Sequence, residues 1–400
     1  MRILMHIRPD WREHPGGDVV QLQRWAFWLG EQGVRVYLSD EVEPDLRGMD
    51  LVHLHNAGRA YALHATLTHC RQRRVPTVLT TLYWPEEEFE RYGRPGLAGW
   101  LFGILPSSLR ERFKSALRWK RQPGDRSALW REFWKGRRNT LREVVRMPHG
   151  LIAVNSAEVD ALKQLLPGTP VVHIVPSGVD AFYWSADVDL WRRERQWLHP
   201  DGSVTLPDTA SPMEMSLDAQ PAPRTGVLCV GRFDPHKGQH RLIQAMAGMS
   251  APLTLVGPNN PNYPAYRKKC LKLASKRVTI LPPQSQEALR RLYRQAFVHA
   301  QASWSELSSL SALEAAACGA HIVTTRRGGM QDYFGPRAWY VDPNDTRDLR
   351  QAIAQALTTP TGPELAQHVH QRYSWKQSAA TLRKVYELIL TQQKASRWAA

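Results

Sequence analysis

The sequence contains few cysteines and no long apolar run. Its four cysteines in 400 residues are far apart and show no metal-type spacing; they are Cys70, Cys229, Cys270 and Cys318. We therefore expect free thiols in a reducing compartment rather than a disulfide framework or a structural zinc site. No stretch of about eighteen consecutive apolar residues is present, and the start, Met1–Ile7, is too short and polar for a signal peptide. These absences predict a cytoplasmic protein, or one bound peripherally to the cytoplasmic face of the inner membrane.

Two further patterns are missing. The chain has no Gly-x-Gly-x-x-Gly, which argues against a dinucleotide site, and no internal repeat of solenoid length. What is present is an alternation of strand and helix patterns at both ends, which predicts the α/β class. A length of 400 residues is enough for about two domains with cores of ordinary size.

Positive charge is concentrated in one segment. The formal net charge is +16, and between Arg91 and Arg146 fifteen Lys and Arg stand against four Asp and Glu. Within this segment Leu109, Phe113 and Leu117 recur at helical spacing among basic residues, a pattern typical of a helix that faces anionic lipid head groups. The same pattern fits a helix that packs on the protein with a solvated basic face. Nucleic acid is a less favoured partner, because no recognition motif accompanies the charge.

The N-terminal residues predict the start of a parallel sheet. A strand over 2–7 is followed by a helix from about Asp18 to Gln32 and by a second strand over 34–38, which together make a βαβ unit. Gly16 and Gly17 stand just before the helix, where they allow the backbone to approach a ligand closely. A glycine pair standing alone would more often be a plain turn.

Some polar and aromatic residues of this half have more than one interpretation. His53 and His55 share a strand face, but no third ligand is visible, so we interpret them as structural or cleft-lining rather than metal-binding. Tyr83 and Trp84 follow the next strand and suit either a sugar face or ordinary core packing. The acidic pair in 187–189 mimics a metal-binding motif, but it enters a linker and we do not expect it to bind a metal.

The first candidate phosphate-binding stretch lies at 226–238. A strand leads into the loop GRFDPHKG, in which Gly231 and Arg232 come first and Lys237 and Gly238 last, and a helix follows. A strand, a basic glycine-containing loop and a helix can together deliver two cations to a phosphate.

The second stretch, 303–319, predicts a loop that enters a helix. Ser308 and Ser309 suit the N-cap, and free N–H groups at a buried helix start bind an anion. Glu306 in the loop and Glu314 one to two turns along the helix can then line one elongated ligand whose phosphates face the helix start.

The motifs together resemble a known family. Glu306 and Glu314, with seven residues between them and Ala-Ala-Ala-Cys-Gly after them, are similar to the signature of the retaining, nucleotide-sugar-dependent glycosyltransferases of family 4. The 231–238 loop resembles the family's Gly-Arg-x-x-x-x-Lys-Gly. The resemblance covers nearly the whole chain outside 91–147 and 185–224. It implies the GT-B fold, in which two Rossmann-like, doubly wound parallel-sheet domains face a central cleft.

The resemblance also implies roles for the matching residues. It implies that Arg232 and Lys237 hold the donor diphosphate and that Glu306 contacts the donor sugar, so these three are the candidate catalytic residues. The implied donor-binding residues are Gly16, Gly17, Gly231, Leu307, Ser308, Ser309 and Glu314, with Glu314 at the ribose hydroxyls. No metal and no cofactor is expected, because two cations and a helix start can hold the leaving diphosphate.

The same interpretation divides the chain into four parts. Residues 1–184 are expected to form an acceptor-side domain that carries the basic insertion 91–147, and 185–224 a linker. Residues 225–375 are expected to form the nucleotide-sugar-binding domain, and 376–400 a helix that returns to the first domain.

The predicted function is retaining transfer of a sugar from a nucleotide-diphosphate sugar to a glycan or lipid-linked acceptor, as in polysaccharide, lipopolysaccharide or glycolipid synthesis. Two departures motivate an alternative. Leu307, Ser308 and Ser309 stand where the family usually has a glycine, and Tyr83 and Trp84 stand where many members have a histidine. The alternative is a non-catalytic nucleotide-sugar-binding subunit that acts as a partner or regulatory protein.

Overall fold

The structure is a computed structural model, and it describes residues 1–13, 16–93, 132–168, 171–185, 188–205 and 223–399. The first six strands are β1 (Arg2–His6), β2 (Arg35–Ser39), β3 (Leu51–His55), β4 (Thr77–Thr80), β5 (Gly150–Ala153) and β6 (Val172–Ile174). The helices of this half are α1 (Gly17–Glu31), α2 (Ala60–Gln72), α3 (Arg137–Arg146) and α4 (Ser156–Leu165). The predicted basic helix around 109–121 lies outside the described residues.

The first sheet is parallel throughout, in the order β2-β1-β3-β4-β5-β6. All five residues of β3 are buried, as expected of a central strand covered by helices on both faces. The strand order reverses between β1 and β3, so the carboxyl ends of these strands border a crevice.

The second half repeats this plan. Its strands are β9 (Thr225–Val230), β10 (Leu253–Val256), β11 (Val278–Leu281), β12 (Ala296–Ala300), β13 (His321–Thr325) and β14 (Trp339–Val341). Its helices, counted after the short α5 (Val188–Glu194), are α6 (Gln239–Ala245), α7 (Tyr266–Leu273), α8 (Gln286–Gln295), α9 (Leu310–Ala317), α10 (Met330–Phe334), α11 (Thr346–Thr358) and α12 (Glu364–Arg372). The sheet order is β11-β10-β9-β12-β13-β14, again parallel. The order reverses between β9 and β12, which brings the loops after these two strands side by side.

The last helix, α13 (Trp375–Ala399), packs against α1 of the first half. Trp25 Nε1 donates a hydrogen bond to Ser378 Oγ at 2.7 Å, and Arg383 Nη1 donates one to the carbonyl of Gln32 at 2.9 Å. The chain end therefore shares a core with the beginning of the chain.

The segment 185–224, expected to be a linker, contains regular structure over 188–205. β7 (Trp197–Leu198) and β8 (Val204–Thr205) form a small antiparallel hairpin. Trp197 stacks on Trp11 with ring centroids 5.8 Å apart, and the side chain of Gln23 makes two hydrogen bonds to the main chain of Leu198. Two-residue strands carry no periodicity, so the sequence pattern does not reveal them.

The predicted α/β class with two doubly wound parallel sheets is confirmed. Among the described residues, no helix is both long and apolar enough to cross a membrane.

Candidate functional site

The site is built on two loops at the carboxyl edge of the second sheet. The loop after β9 carries Lys237 in a single 3₁₀ turn, and the loop after β12 carries Glu306. Lys237 Nζ donates a hydrogen bond to Glu306 Oε1 at 2.6 Å. The structure thus joins two predicted catalytic residues that come from separate motifs.

The surroundings of this pair favour the ionised carboxylate. Burial by itself raises the pKa of Glu306, but the ammonium of Lys237, with smaller contributions from Ser303 and His236, holds the pKa below the ordinary glutamate value. His236 is the neighbour of Lys237 in the chain. Burial, followed by the charge of Lys237, lowers the pKa of the His236 imidazole, so this ring is neutral at physiological pH.

Two glycines allow the loops to come this close. A Cβ on Gly238, at φ +69°, would lie 2.1 Å from the carbonyl oxygen of Ala302, and a Cβ on Gly328, at φ +103°, would lie 2.1 Å from the carbonyl oxygen of Glu306. Any other side chain at these positions would be strained and would collide with backbone. The N–H of Gly329 also donates to the Glu306 carbonyl at 2.8 Å, so the loop after β13 holds the main chain of Glu306 in place.

The helix start beyond Glu306 has backbone donors that are not used. Ser309 is the N-cap of α9, and its Oγ accepts from the N–H of Ala312 at 3.3 Å. Among the described residues, no hydrogen bond uses the N–H groups of Leu307 and Ser308. The N–H of Ser309, in contrast, donates to Met330 Sδ at 3.3 Å. Two of the three predicted loop amides are therefore open to an anion, and the third is occupied.

Glu314 lies on α9 and is held by a tyrosine. Its Oε2 accepts a hydrogen bond from the hydroxyl of Tyr293 at 2.8 Å. Burial raises the pKa of Glu314 to about 7, so both protonation states are populated at neutral pH. Such a carboxyl group can accept or donate a hydrogen bond to a ligand hydroxyl.

Arg232 lies in the same loop as Lys237 but makes no hydrogen bond or ion pair with Glu306. Its side chain is 54% exposed, and its guanidinium lies 3.7 Å from the carboxylate of Asp234. No hydrogen bond or ion pair among the described residues joins it to Glu306 or Ser308. Because the guanidinium is largely exposed and the contact is long, this ion pair is weak. A Cβ added to Gly231 would meet nothing within 4 Å, which shows open space beside this loop.

Residues of the first half contact the helix start of the site. Gly16 is the N-cap of α1, and a Cβ on Gly17 would lie 3.6 Å from Leu310 Cδ1, so the starts of α1 and α9 face each other. Asn155 Nδ2 donates to the carbonyl of Leu307 at 2.9 Å. Gly17 therefore lies against the second domain's helix start, and Gly16 directly precedes it in the chain.

Sequence reasoning missed a cluster that spans the two halves. Phe89 packs against the rings of His236 and Trp304, with centroid distances of 5.0 and 6.0 Å. Arg327 lies over the Trp304 ring and forms an ion pair with Glu88 at 2.8 Å. These residues are distant in sequence and share no motif, so no sequence signal could have grouped them.

The histidines of β3 agree with the structural or cleft-lining interpretation. The ring nitrogens of His53 lie 2.6 Å from the Tyr386 hydroxyl and 2.7 Å from Thr80 Oγ1, so both are occupied within the fold. His55 lines a cavity of the first domain. Within the described ranges, no group of three or more His, Cys, Asp or Glu side chains is placed to hold a metal ion.

The remaining candidates of the first half are placed as follows. Tyr83 is partly buried against the hydrophobic core, which favours core packing over a sugar contact, and Trp84 is half-buried. Asp187 lies outside the described residues, and so do residues 94–131 of the basic insertion. Binding of that insertion to a membrane stays a prediction.

Known proteins match part of the chain. The model of the family described as "Glycosyl transferases group 1" matches residues 219–375, which include both site loops. D-inositol 3-phosphate glycosyltransferase of Mycolicibacterium smegmatis is 32% identical over 180 residues, covering 42% of this chain and 41% of the relative. The enzyme of the same name from Corynebacterium urealyticum is 34% identical over 182 residues, covering 40% and 42%. The chain thus spans about two-fifths of the length of these relatives.

Solved structures match nearly the whole chain. Sucrose-phosphate synthase of Thermosynechococcus elongatus superposes with a TM-score of 0.66 at 15% identity, covering 98% of this chain and 100% of the other. Anabaena HepE, solved with UDP and glucose, superposes with a TM-score of 0.62 at 16% identity, covering 97% and 99%. At such identities the likeness shows the fold alone, and that fold is GT-B, as predicted.

Proposed function

We propose that the protein is a retaining glycosyltransferase of family 4, which moves a sugar from a nucleoside-diphosphate sugar to a hydroxyl of a glycan or lipid-linked acceptor. The observation that carries the proposal is the 2.6 Å contact between Lys237 and Glu306, next to the unused N–H groups of Leu307 and Ser308. The names of the matching relatives, which are D-inositol 3-phosphate glycosyltransferases, and the UDP-glucose bound in the similar Anabaena structure support it.

The proposed chemistry depends on stabilising a leaving group. When the bond between the anomeric carbon and the phosphate oxygen breaks, negative charge grows on the nucleoside diphosphate. Lys237, the exposed Arg232 and the amides of Leu307 and Ser308 would hold that charge without a metal ion. One preorganised donor of this kind contributes about 3–4 kcal/mol, which is a factor of roughly a hundred to a thousand in rate.

The two glutamates have different proposed tasks. Glu306, kept ionised by Lys237, orients that ammonium and accepts hydrogen bonds from the donor sugar. Glu314, held by Tyr293, accepts from the ribose hydroxyls. An ionised and a half-protonated carboxyl group thus contact the two ends of the donor.

The proposal is tested by measuring donor turnover with purified variants. We expect Lys237→Ala and Glu306→Ala to lower kcat by at least about tenfold to a hundredfold, because their interactions strengthen in the transition state. Lys163→Ala is the control, since Lys163 is exposed on α4. The substrate panel consists of UDP-, GDP- and ADP-sugars, and NMR of the product reports the anomeric configuration.

Two outcomes would contradict the proposal. Near-normal rates in both folded variants would remove the assignment of the site. Binding of a nucleoside diphosphate by the wild type without transfer or hydrolysis would favour the non-catalytic subunit instead.

A further inference from the structure

Another cavity of the first domain lies at the amino edge of its sheet. It has a volume of about 920 Å³, within the range of small-molecule pockets. Thr77, the first residue of β4, and His149, which comes just before β5, line it together with the last turns of α2 and α3. Because α1 follows β1, Gly17 lies at the opposite, carboxyl edge, where the first domain contacts Leu310. The cavity is therefore remote from the donor loops.

Three arginines line this cavity. Arg71 lies in the last turn of α2, and Arg142 and Arg146 are about one turn apart on α3. Arg71 and Arg146 are exposed. Within the described part of the chain, the guanidinium groups of these two residues make no hydrogen bond and no ion pair. Both are therefore available to a ligand.

The third arginine, Arg142, is held in place at the cavity wall. Its Nε donates a hydrogen bond to the carbonyl of Leu165 at 2.9 Å, and its Nη1 donates one to Asn139 Oδ1 at 3.4 Å. Its Nη2 makes no hydrogen bond with a described residue. Because the guanidinium is planar and rigid, fixing one side of it also fixes the direction of the remaining N–H groups. Arg142 is therefore a preorganised donor.

The negative groups around the cavity do not cancel the charge of the arginines. Glu143 is the one Asp or Glu among its described lining residues, and its carboxylate lies 2.8 Å from Lys135 Nζ and 3.3 Å from His64 Nε2. The carbonyl ends of α2 and α3 add roughly half a negative charge each. Arg71 and Arg146 suit these helix ends, but the three guanidinium groups and Lys135 together still exceed the negative groups by about two charges.

We propose that this cavity is an anion-binding site for a phosphorylated ligand, separate from the donor site. A guanidinium group can pair two N–H donors with two phosphate oxygens, and such charge-assisted hydrogen bonds are stronger than neutral ones. A phosphate monoester carries a charge of about −1.5 to −2 at pH 7, which matches the local excess better than a single carboxylate does. This phosphate belongs either to a soluble compound or to a lipid head group. The inference goes beyond the proposed function and does not depend on it, because no residue of the donor loops takes part.

Titration calorimetry of the whole protein with inorganic pyrophosphate tests the proposal. The titrations use a Lys237→Ala background, because pyrophosphate also resembles the diphosphate of the donor. We expect Lys237→Ala to bind pyrophosphate. Adding Arg71→Gln and Arg146→Gln should weaken this binding at least about tenfold, since two charge-assisted hydrogen bonds are lost. Both side chains are exposed and lack partners in the fold, so these substitutions should leave folding intact.

A matched control carries the same change of charge. In Arg73→Gln/Arg138→Gln, one arginine comes from just beyond α2 and the other from α3. Both are exposed, and neither lines the cavity. This pair of substitutions should leave the affinity for pyrophosphate unchanged.

A second assay distinguishes the two sources of the phosphate. Flotation compares vesicles of phosphatidylcholine with vesicles that also contain phosphatidic acid, whose head group is a phosphate monoester. If a lipid head group occupies the cavity, Arg71→Gln/Arg146→Gln should bind the phosphatidic acid vesicles at least about fivefold more weakly than Arg73→Gln/Arg138→Gln does.

The outcomes are distinct. A specific loss of pyrophosphate binding supports the inference with a soluble ligand, and a specific loss in flotation alone supports it with a lipid head group. If Arg71→Gln/Arg146→Gln behaves like Arg73→Gln/Arg138→Gln in both assays, the inference is overturned. Thermal shifts with UDP, GDP and ADP report the donor site. A smaller nucleotide shift in Arg71→Gln/Arg146→Gln than in the control would show that the two sites are not separate, and this would also overturn the inference.

Discussion

Glu306 is more deeply buried than its partner Lys237, and this difference predicts that removing Lys237 lowers the free energy of unfolding more than removing Glu306. The side chain of Glu306 is 8% exposed and that of Lys237 is 29% exposed. Lys237→Met leaves a buried carboxylate without its cation. Breaking a fully buried pair in this way lowers protein stability by about 3–5 kcal/mol, and because Lys237 is partly exposed we expect a loss of about 2–3 kcal/mol here. Glu306→Gln leaves an ammonium that can turn into water, so we expect a loss of about 1 kcal/mol.

The loss of stability caused by Lys237→Met should increase with pH. In the wild type, Lys237 holds the pKa of Glu306 below its ordinary value. The resulting stabilisation is present above the unfolded-state pKa of about 4.3 and is lost as the pH falls through the folded-state pKa. Without Lys237, the main group that opposes the effect of burial is gone and the pKa of Glu306 rises, so the variant loses stability as the pH rises. The difference between the two proteins therefore widens from about pH 4 towards pH 8.

Melting temperatures measured between pH 4.5 and 8 test this reasoning. Since 1 kcal/mol corresponds to about 2–4 °C in a domain of 150–250 residues, Lys237→Met should melt about 4–12 °C below the wild type at pH 8. Glu306→Gln should melt about 2–4 °C below it. Lys163→Met is the matched control, because Lys163 and Asp160 are 67% and 69% exposed and their pair should contribute little. Equal losses for both partners, or a difference that does not change with pH, would refute the argument.

Two further predictions concern other parts of the fold. Burial raises the pKa of Glu158 to about 7, above the unfolded value of about 4.3, so the stability it contributes is complete below the unfolded pKa and is lost as the pH rises from there through about 7. The melting temperature of Glu158→Gln should therefore gain on that of the wild type between about pH 4.5 and 7 and run parallel to it above about pH 8, and curves that are parallel between about pH 4.5 and 7 would contradict the raised pKa. Arg327→Met removes the ion pair with Glu88 and should raise amide hydrogen exchange over 86–93. Arg326→Met, which removes an exposed pair instead, should not, and equal exchange in both variants would contradict the bridging role of Arg327.

The regular elements were predictable because their periodicity is strong. In α1, apolar residues such as Val19, Leu22 and Leu29 recur on one face, and the predicted helix from about Asp18 to Gln32 is observed as Gly17–Glu31. The hairpin of β7 and β8 was not predictable. Its strands have two residues each, and contacts with Trp11 and Gln23 support it. Local pattern thus determines the long elements, while tertiary contact determines the short ones.

The candidate site was predictable where a sequence motif indicates the chemical role of its residues. Lys237 and Glu306 meet because their loops follow β9 and β12, which are neighbours at the reversal of the strand order. Ser309 shows the limit of this reasoning. Its N–H was expected to face an anion, but it donates to Met330 Sδ, and no feature of 303–319 reveals that a sulfur from a later helix fills this position.

The main chain around Glu306 depends on three separate parts of the chain. Lys237 holds its carboxylate, the N–H of Gly329 holds its carbonyl, and Asn155 of the first domain holds the carbonyl of Leu307. Because Asn155 is the one of these that lies on the first domain, separating the domains breaks its hydrogen bond, at a cost of about 1 kcal/mol. The open N–H groups of Leu307 and Ser308 lie next to that bond. The same short stretch of backbone would therefore bind a ligand at these amides and make the contact between the domains. A ligand that favours one geometry of this loop would also favour one arrangement of the domains.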